Sequence, residues 1–145
     1  MVKDGMSNFK KILVALDGTK NSFRGLDRAI YLARQLHTTI TGLYVIPMVK
    51  PHPSDPITSM EKLFLEKAAN FMKKAKRMAA QNGIMFIDKV VYGDDGVEIV
   101  RFAKRNNFDI IVIGSRGISL VKEIFIGGSS NYVLHKAPMP VMIVR

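Results

Sequence analysis

Between Gly114 and Ser130 the sequence gathers four glycines and four serines, among them Gly114, Ser115, Gly117, Gly127, Gly128, Ser129 and Ser130. Residues of these types at this density can hold an anion. Glycine lets the backbone take positive φ and approach a ligand without Cβ contacts. A helix opening near Ser130 adds N–H groups without intrahelical acceptors and the positive end of its dipole. Together these make a cradle suited to phosphate groups. Hydroxyls of Ser115, Ser129 and Ser130 add donors, and Arg116 and Lys122 add charge. A second candidate is Asp17, which ends an apolar run and opens the turn cluster Asp17-Gly18-Thr19.

Other chemistries are excluded by what these residues lack. A P-loop needs Gly-x-x-x-x-Gly-Lys-Ser/Thr, and no stretch supplies its lysine. The Gly-x-Gly-x-x-Gly fingerprint does not follow the first apolar run, and Gly-x-Ser-x-Gly is missing. His37, His52 and His135 have no metal spacing, and there are no cysteines for thiolate ligands, disulfides or nucleophiles.

The elements that position the loop follow from periodicity. Lys10–Leu16 is a nearly continuous apolar run, the pattern of a strand buried on both faces. Phe23, Leu26, Ile30, Ala33 and Leu36 recur at helical spacing behind Asn21 or Ser22 as N-cap. Residues 38–46 read as a second strand. Four of the six prolines crowd into Pro47–Pro56, which makes a surface loop. A helix is predicted over 58–82, with Met60, Leu63, Phe64, Ala68, Phe71, Met72, Ala75 and Met78 on its apolar side and Gly83 as its stop. A third strand covers 85–92. Asp95 and Glu98 resemble a capping box for a helix through Val97, Val100 and Ala103. A strand at 109–113, the long loop, a helix over 130–136 and a last strand at 141–144 complete the series. Strict alternation predicts right-handed crossovers and a doubly wound parallel sheet with helices on both faces. In such a sheet, ligands sit beyond the carboxyl ends of the strands, at the switch in strand order.

Bulk properties fit one α/β domain over residues 1–145, with residues 1–8 expected to be flexible. Apolar residues make up 48% and charged residues 23%, which excludes disordered and collagen-like classes. The start of the sequence has no apolar signal core, and no apolar stretch has the ~20 residues that span a bilayer, so a cytoplasmic protein without membrane contact is expected. The net charge of +10 favours anionic partners in general. Its densest run, Lys73-Lys74-Ala75-Lys76-Arg77, flanks an apolar helical stripe without interleaved aromatics, so nucleic acid is not the expected partner.

The spacing Gly114-x2-Gly117-x9-Gly127, between the fourth strand and fourth helix, resembles the ATP-binding pattern of the universal stress protein family. Ile12–Thr19, Leu43-Tyr-Val45, Asp109–Gly117 and Pro138–Val144 are similar to that family's strands in the same order, so the resemblance covers nearly the whole chain. It implies a Rossmann-like five-stranded sheet in the order 3-2-1-4-5, whose switch point brings the Asp17 and Gly114 loops together. It also implies ATP, carried with Mg, as ligand. Asp17 would lie beside the ribose or the nucleotide-bound metal, Val45 would offer backbone groups to the adenine edge, and Gly114, Arg116, Gly117, Gly127, Gly128, Ser129 and Ser130 would line the phosphates. A stress-response regulator is implied, a homodimer joined through strand 141–144, rather than an enzyme. A slow ATPase and a non-nucleotide-binding interaction module of the same fold are the alternatives. One position departs from the pattern: Gly128 stands where the family has Ser or Thr, which keeps an N–H and loses a side-chain donor worth about 1.5–3 kcal/mol to a charged acceptor.

Overall fold

The computed structural model describes residues 9–115 and 128–145. Five strands, β1 (Lys11–Ala15), β2 (Thr39–Ile46), β3 (Phe86–Tyr92), β4 (Ile110–Gly114) and β5 (Val141–Val144), alternate with α1 (Lys20–Leu36), α2 (Ser59–Gln81), α3 (Asp95–Arg105) and α4 (Gly128–Lys136). All strand pairings are parallel, in the order β3-β2-β1-β4-β5. This is the doubly wound order implied by the family resemblance.

The inner strands β1 and β4 are covered on both sides, which explains why they read as nearly unbroken apolar runs. Ile12 and Val14 of β1 pack with Leu26 and Ile30 of α1 and with Phe71 and Met72 of α2. Leu13, between them, points to the other face and joins Ile99 of α3 and Val133 of α4. All three β1 side chains are fully buried. No helix among the described residues is long and apolar enough to cross a membrane.

Several local expectations are corrected. The N-cap of α1 is Thr19, not Asn21 or Ser22: its backbone is extended and its hydroxyl accepts from the Ser22 N–H at 3.1 Å. Asp94, not Asp95, takes the cap position of α3, its carbonyl accepts the Glu98 N–H, and no capping box forms. In α2, Met60 and Leu63 are exposed because they lie on the outer side of the helix, whereas Glu61 in the same turn is buried and accepts from the Tyr92 hydroxyl of β3, and Ala68, Phe71, Met72, Ala75 and Ala79 continue the buried side. Helix α4 begins at Gly128, two residues earlier than its apolar spacing predicts.

Candidate functional site

Helix α1 leaves β1 toward one face of the sheet, and α4 packs on the other. The carboxyl ends of β1 and β4, which are neighbours, therefore open into a cleft. Ala15, Leu16, Asp17, Asn21, Gly114, Asp95, Ser129 and Ser130 are among its lining residues. Extending the β1–β4 register brings Leu16 level with Gly114. Extending the β1–β2 register by two residues brings Asp17 level with Val45.

Gly114 is where the cleft depends on the absence of a side chain. A Cβ there would lie 2.5 Å from both the carbonyl oxygen and the amide nitrogen Nδ2 of Asn21. The first turn of α1 thus rests directly on the end of β4. On the other side, the Ser130 hydroxyl donates to the Gly114 carbonyl at 2.7 Å, and Ser130 is almost fully buried. That bond ties the first turn of α4 to the same strand end. The Ser130 hydroxyl, assigned to phosphate from the sequence pattern, is engaged with the strand end in this structure.

Asp17 organises the opposite wall. Its Oδ1 accepts from the Thr19 N–H at 3.0 Å and from the Thr19 hydroxyl at 2.6 Å. Thr19 in turn caps α1, and the Ser22 hydroxyl donates to the Thr19 carbonyl at 2.9 Å. Gly18 between them has φ +88°, a conformation that favours glycine. The aspartate is thus wired to the start of α1 while lining the cleft.

Val45 contributes through its backbone. Its side chain is buried against α3. The Leu16 N–H donates to the Leu43 carbonyl, and the Gly93 N–H donates to the Ile46 carbonyl. Backbone groups alternate in direction along a strand, so the Val45 N–H and C=O turn toward the β1 side. There β1 has already ended, its last paired residue being Ala15 opposite Leu43.

The cleft is acidic where it is described. Asp17 and Asp95 line it, and its described lining includes no basic side chain. Burial, and then the carboxylates of Asp17 and Asp95, push the nearby Tyr44 phenol above its ordinary pKa. Asp95 is a site residue that sequence reasoning assigned to a helix cap; its carboxylate accepts from the Ser129 hydroxyl at 2.7 Å. Asn21 was likewise read only as a cap. Arg116, Gly117 and Gly127 lie outside the described residues. No group of three or more His, Asp or Glu side chains among the described residues could hold a metal ion. A single carboxylate such as Asp17 suits Mg²⁺ brought by a phosphate ligand, since that ion is commonly held by one or two carboxylates plus phosphates.

The sequence model of the universal stress protein family matches residues 8–145. The universal stress protein YxiE of Bacillus subtilis is 33% identical over 94% of this chain and 99% of its own length. The chain belongs to the universal stress protein family. Among solved structures, universal stress protein UspA of Lactobacillus plantarum superposes with a TM-score of 0.79 at 23% identity, over 95% of this chain and 99% of that one. The universal stress protein of Archaeoglobus fulgidus in complex with dAMP gives 0.73 at 20% identity, over 94% and 98%. Within this universal stress protein, Asp17, Gly114, Ser129 and Ser130 meet in one cleft, while Val45 is not among its lining residues and lies level with Asp17 in the extended β1–β2 register.

Proposed function

We propose that this universal stress protein binds an adenine nucleotide, ATP carried with Mg, in the switch-point cleft, and acts as a regulator of the stress response in the cytoplasm. The observation that carries the proposal is the end of β1 at Ala15 while β2 continues to Ile46. It leaves the Val45 N–H and C=O on the β1 side beyond the last paired residue, one donor and one acceptor that an adenine edge could use. Asp17, level with Val45, is then placed for the ribose or the nucleotide-bound metal. Gly128, Ser129 and Ser130 would offer the phosphates backbone N–H groups at the start of α4, and Gly114 at the end of β4 would line them from the other side. Arg116, Gly117 and Gly127 are assigned to the same phosphates from the sequence pattern. The dAMP complex of the Archaeoglobus fulgidus relative supports adenine as the base.

The residues together form one nucleotide-binding domain, and the protein is a homodimer joined through β5. That strand lies at the sheet edge, paired with β4, and its Val141, Met142 and Ile143 are only partly buried. An edge of this kind offers backbone groups to a second chain. Binding rather than turnover is the role, because Asp17 Oδ1 already accepts two hydrogen bonds from Thr19 and serves the turn.

Mass spectrometry of the denatured protein for co-purifying nucleotide, followed by calorimetric titration, tests this. Binding of Mg-ATP is expected, with loss on Asp17→Ala. No binding at millimolar nucleotide overturns the proposal. Multiple-turnover hydrolysis that Asp17→Ala abolishes while binding persists replaces the regulatory role with an ATPase.

A further inference from the structure

Asp95 occupies the first position of α3, yet the cap position belongs to Asp94. The Asp95 carboxylate instead accepts the Ser129 hydroxyl at 2.7 Å, a bond between residues 34 apart that joins the starts of α3 and α4. Both residues line the cleft with Asp17 and Gly114. The first turn of α4 is where an anion is stabilised by backbone N–H groups and the helix dipole. A carboxylate oxygen of the protein already stands on the Ser129 hydroxyl there, as a phosphate oxygen would. No ion pair to Asp95 is formed among the described residues.

We infer that Asp95 is a specificity-determining residue of this cleft: its negative charge competes for Ser129 and selects against nucleotides in proportion to their uncompensated phosphate charge. The inference rests on the nucleotide-binding proposal and goes beyond it. A fixed carboxylate repels a nearby anion more strongly the more charge that anion carries, and a divalent cation on the phosphates cancels much of the repulsion. Mg-free ATP is the disfavoured ligand, AMP is affected least, and ATP regains affinity when Mg²⁺ accompanies it. Asp17, the other carboxylate of the described lining, adds to the field but is tied into the α1 turn.

Asp95→Asn isolates the charge. The asparagine amide oxygen still accepts from Ser129, so shape and hydrogen bond persist. Calorimetric titrations of ATP with EDTA, ATP with Mg²⁺, and AMP into both proteins give three ratios. The variant is expected to gain roughly tenfold for Mg-free ATP and about twofold or less for AMP, with a smaller benefit from Mg²⁺ than the parent. Ser129→Ala, which removes the hydroxyl and keeps the carboxylate, is expected to retain the discrimination against Mg-free ATP. Equal gains for ATP and AMP, or weaker Mg-ATP binding by Asp95→Asn, overturn the inference while leaving nucleotide binding intact. Absence of binding by either protein overturns the nucleotide proposal itself, and this inference with it.

Discussion

Two concavities flank the first turn of α1, and their chemistry is opposite. The switch-point cleft is lined by Asp17 and Asp95, by glycine and by helix-start backbone. The groove along the outer side of α1 is lined by Lys20, Arg24, Arg28, Lys74 and Arg145, with Asp27 as its acidic residue. Charge alone would send a phosphate to the groove. The groove, however, presents its charge on long exposed side chains, with Lys74 resting over the Phe23 ring at 4.5 Å and Arg24 donating to Asn21 at 3.0 Å. The cleft presents donors fixed by the fold itself. Mobile cations attract anions in general and are screened by salt. Fixed N–H groups of a helix start recognise one geometry and need no side-chain ordering. A net charge of +10 therefore says little about where a specific ligand sits.

The largest expected effect comes from closing the cleft. Gly114→Ala places a Cβ 2.5 Å from the Asn21 backbone oxygen, a contact that only a shift of α1 relieves. Overpacking of this kind costs about 1–3 kcal/mol and more when backbone must move. Thermal unfolding is expected to fall by roughly 5–10 °C, with nucleotide binding lost in titration. Unchanged stability and binding would mean that the approach of α1 to β4 is not what shapes the cleft.

Gly128→Ser works in the opposite direction. A Cβ at Gly128 meets nothing within 4 Å among the described residues, and serine there restores the hydroxyl that the family pattern carries. One hydrogen bond to a charged phosphate is worth about 1.5–3 kcal/mol, so Mg-ATP affinity is expected to rise roughly tenfold or more. A titration with no gain would place the phosphates away from the start of α4.

Thr19→Ala is expected to act more weakly, through stability. It removes the cap of α1 and the hydroxyl that donates to Asp17. Such caps are worth about 1 kcal/mol, so a loss of a few degrees in Tm and modestly weaker binding are expected. A Tm identical to the parent would show that Asp17 and Ser22 hold the turn unaided.

Thr19, missed as the cap of α1, also marks where the sequence stopped being legible. The buried strands could be read because their residues repeat a local pattern: Ile12-Leu13-Val14 is apolar throughout and buried on both faces. The helical stripe Ala68, Phe71, Met72 and Ala75 was visible for the same reason. The two site loops were legible through glycine content and their place after β1 and β4. Hydrogen bonds between distant residues leave no such period. Ser130 to Gly114, Ser129 to Asp95 and Tyr92 to the buried Glu61 span 16, 34 and 31 residues. Local capping rules assigned Asp95 to α3, and tertiary contact assigned it to the cleft. Met60 and Leu63 kept helical spacing, but the side of that turn facing the sheet is the one carrying Glu61, so periodicity overstated the core.

The smallest expected effect is the one that most directly separates the two concavities. Arg28→Gln, Lys74→Gln and Arg145→Gln together remove three groove cations and replace no residue of the cleft lining. Exposed charges at such range contribute little once screened by physiological salt. Affinity for Mg-ATP is therefore expected to change by less than about twofold at physiological ionic strength, with a somewhat larger loss at low salt as long-range attraction is exposed. A tenfold loss that persists at high salt would move the phosphates into the groove. The donors of the cleft would then be structural features of a switch point, and the fixed geometry at Gly114 would serve the packing of α1 alone.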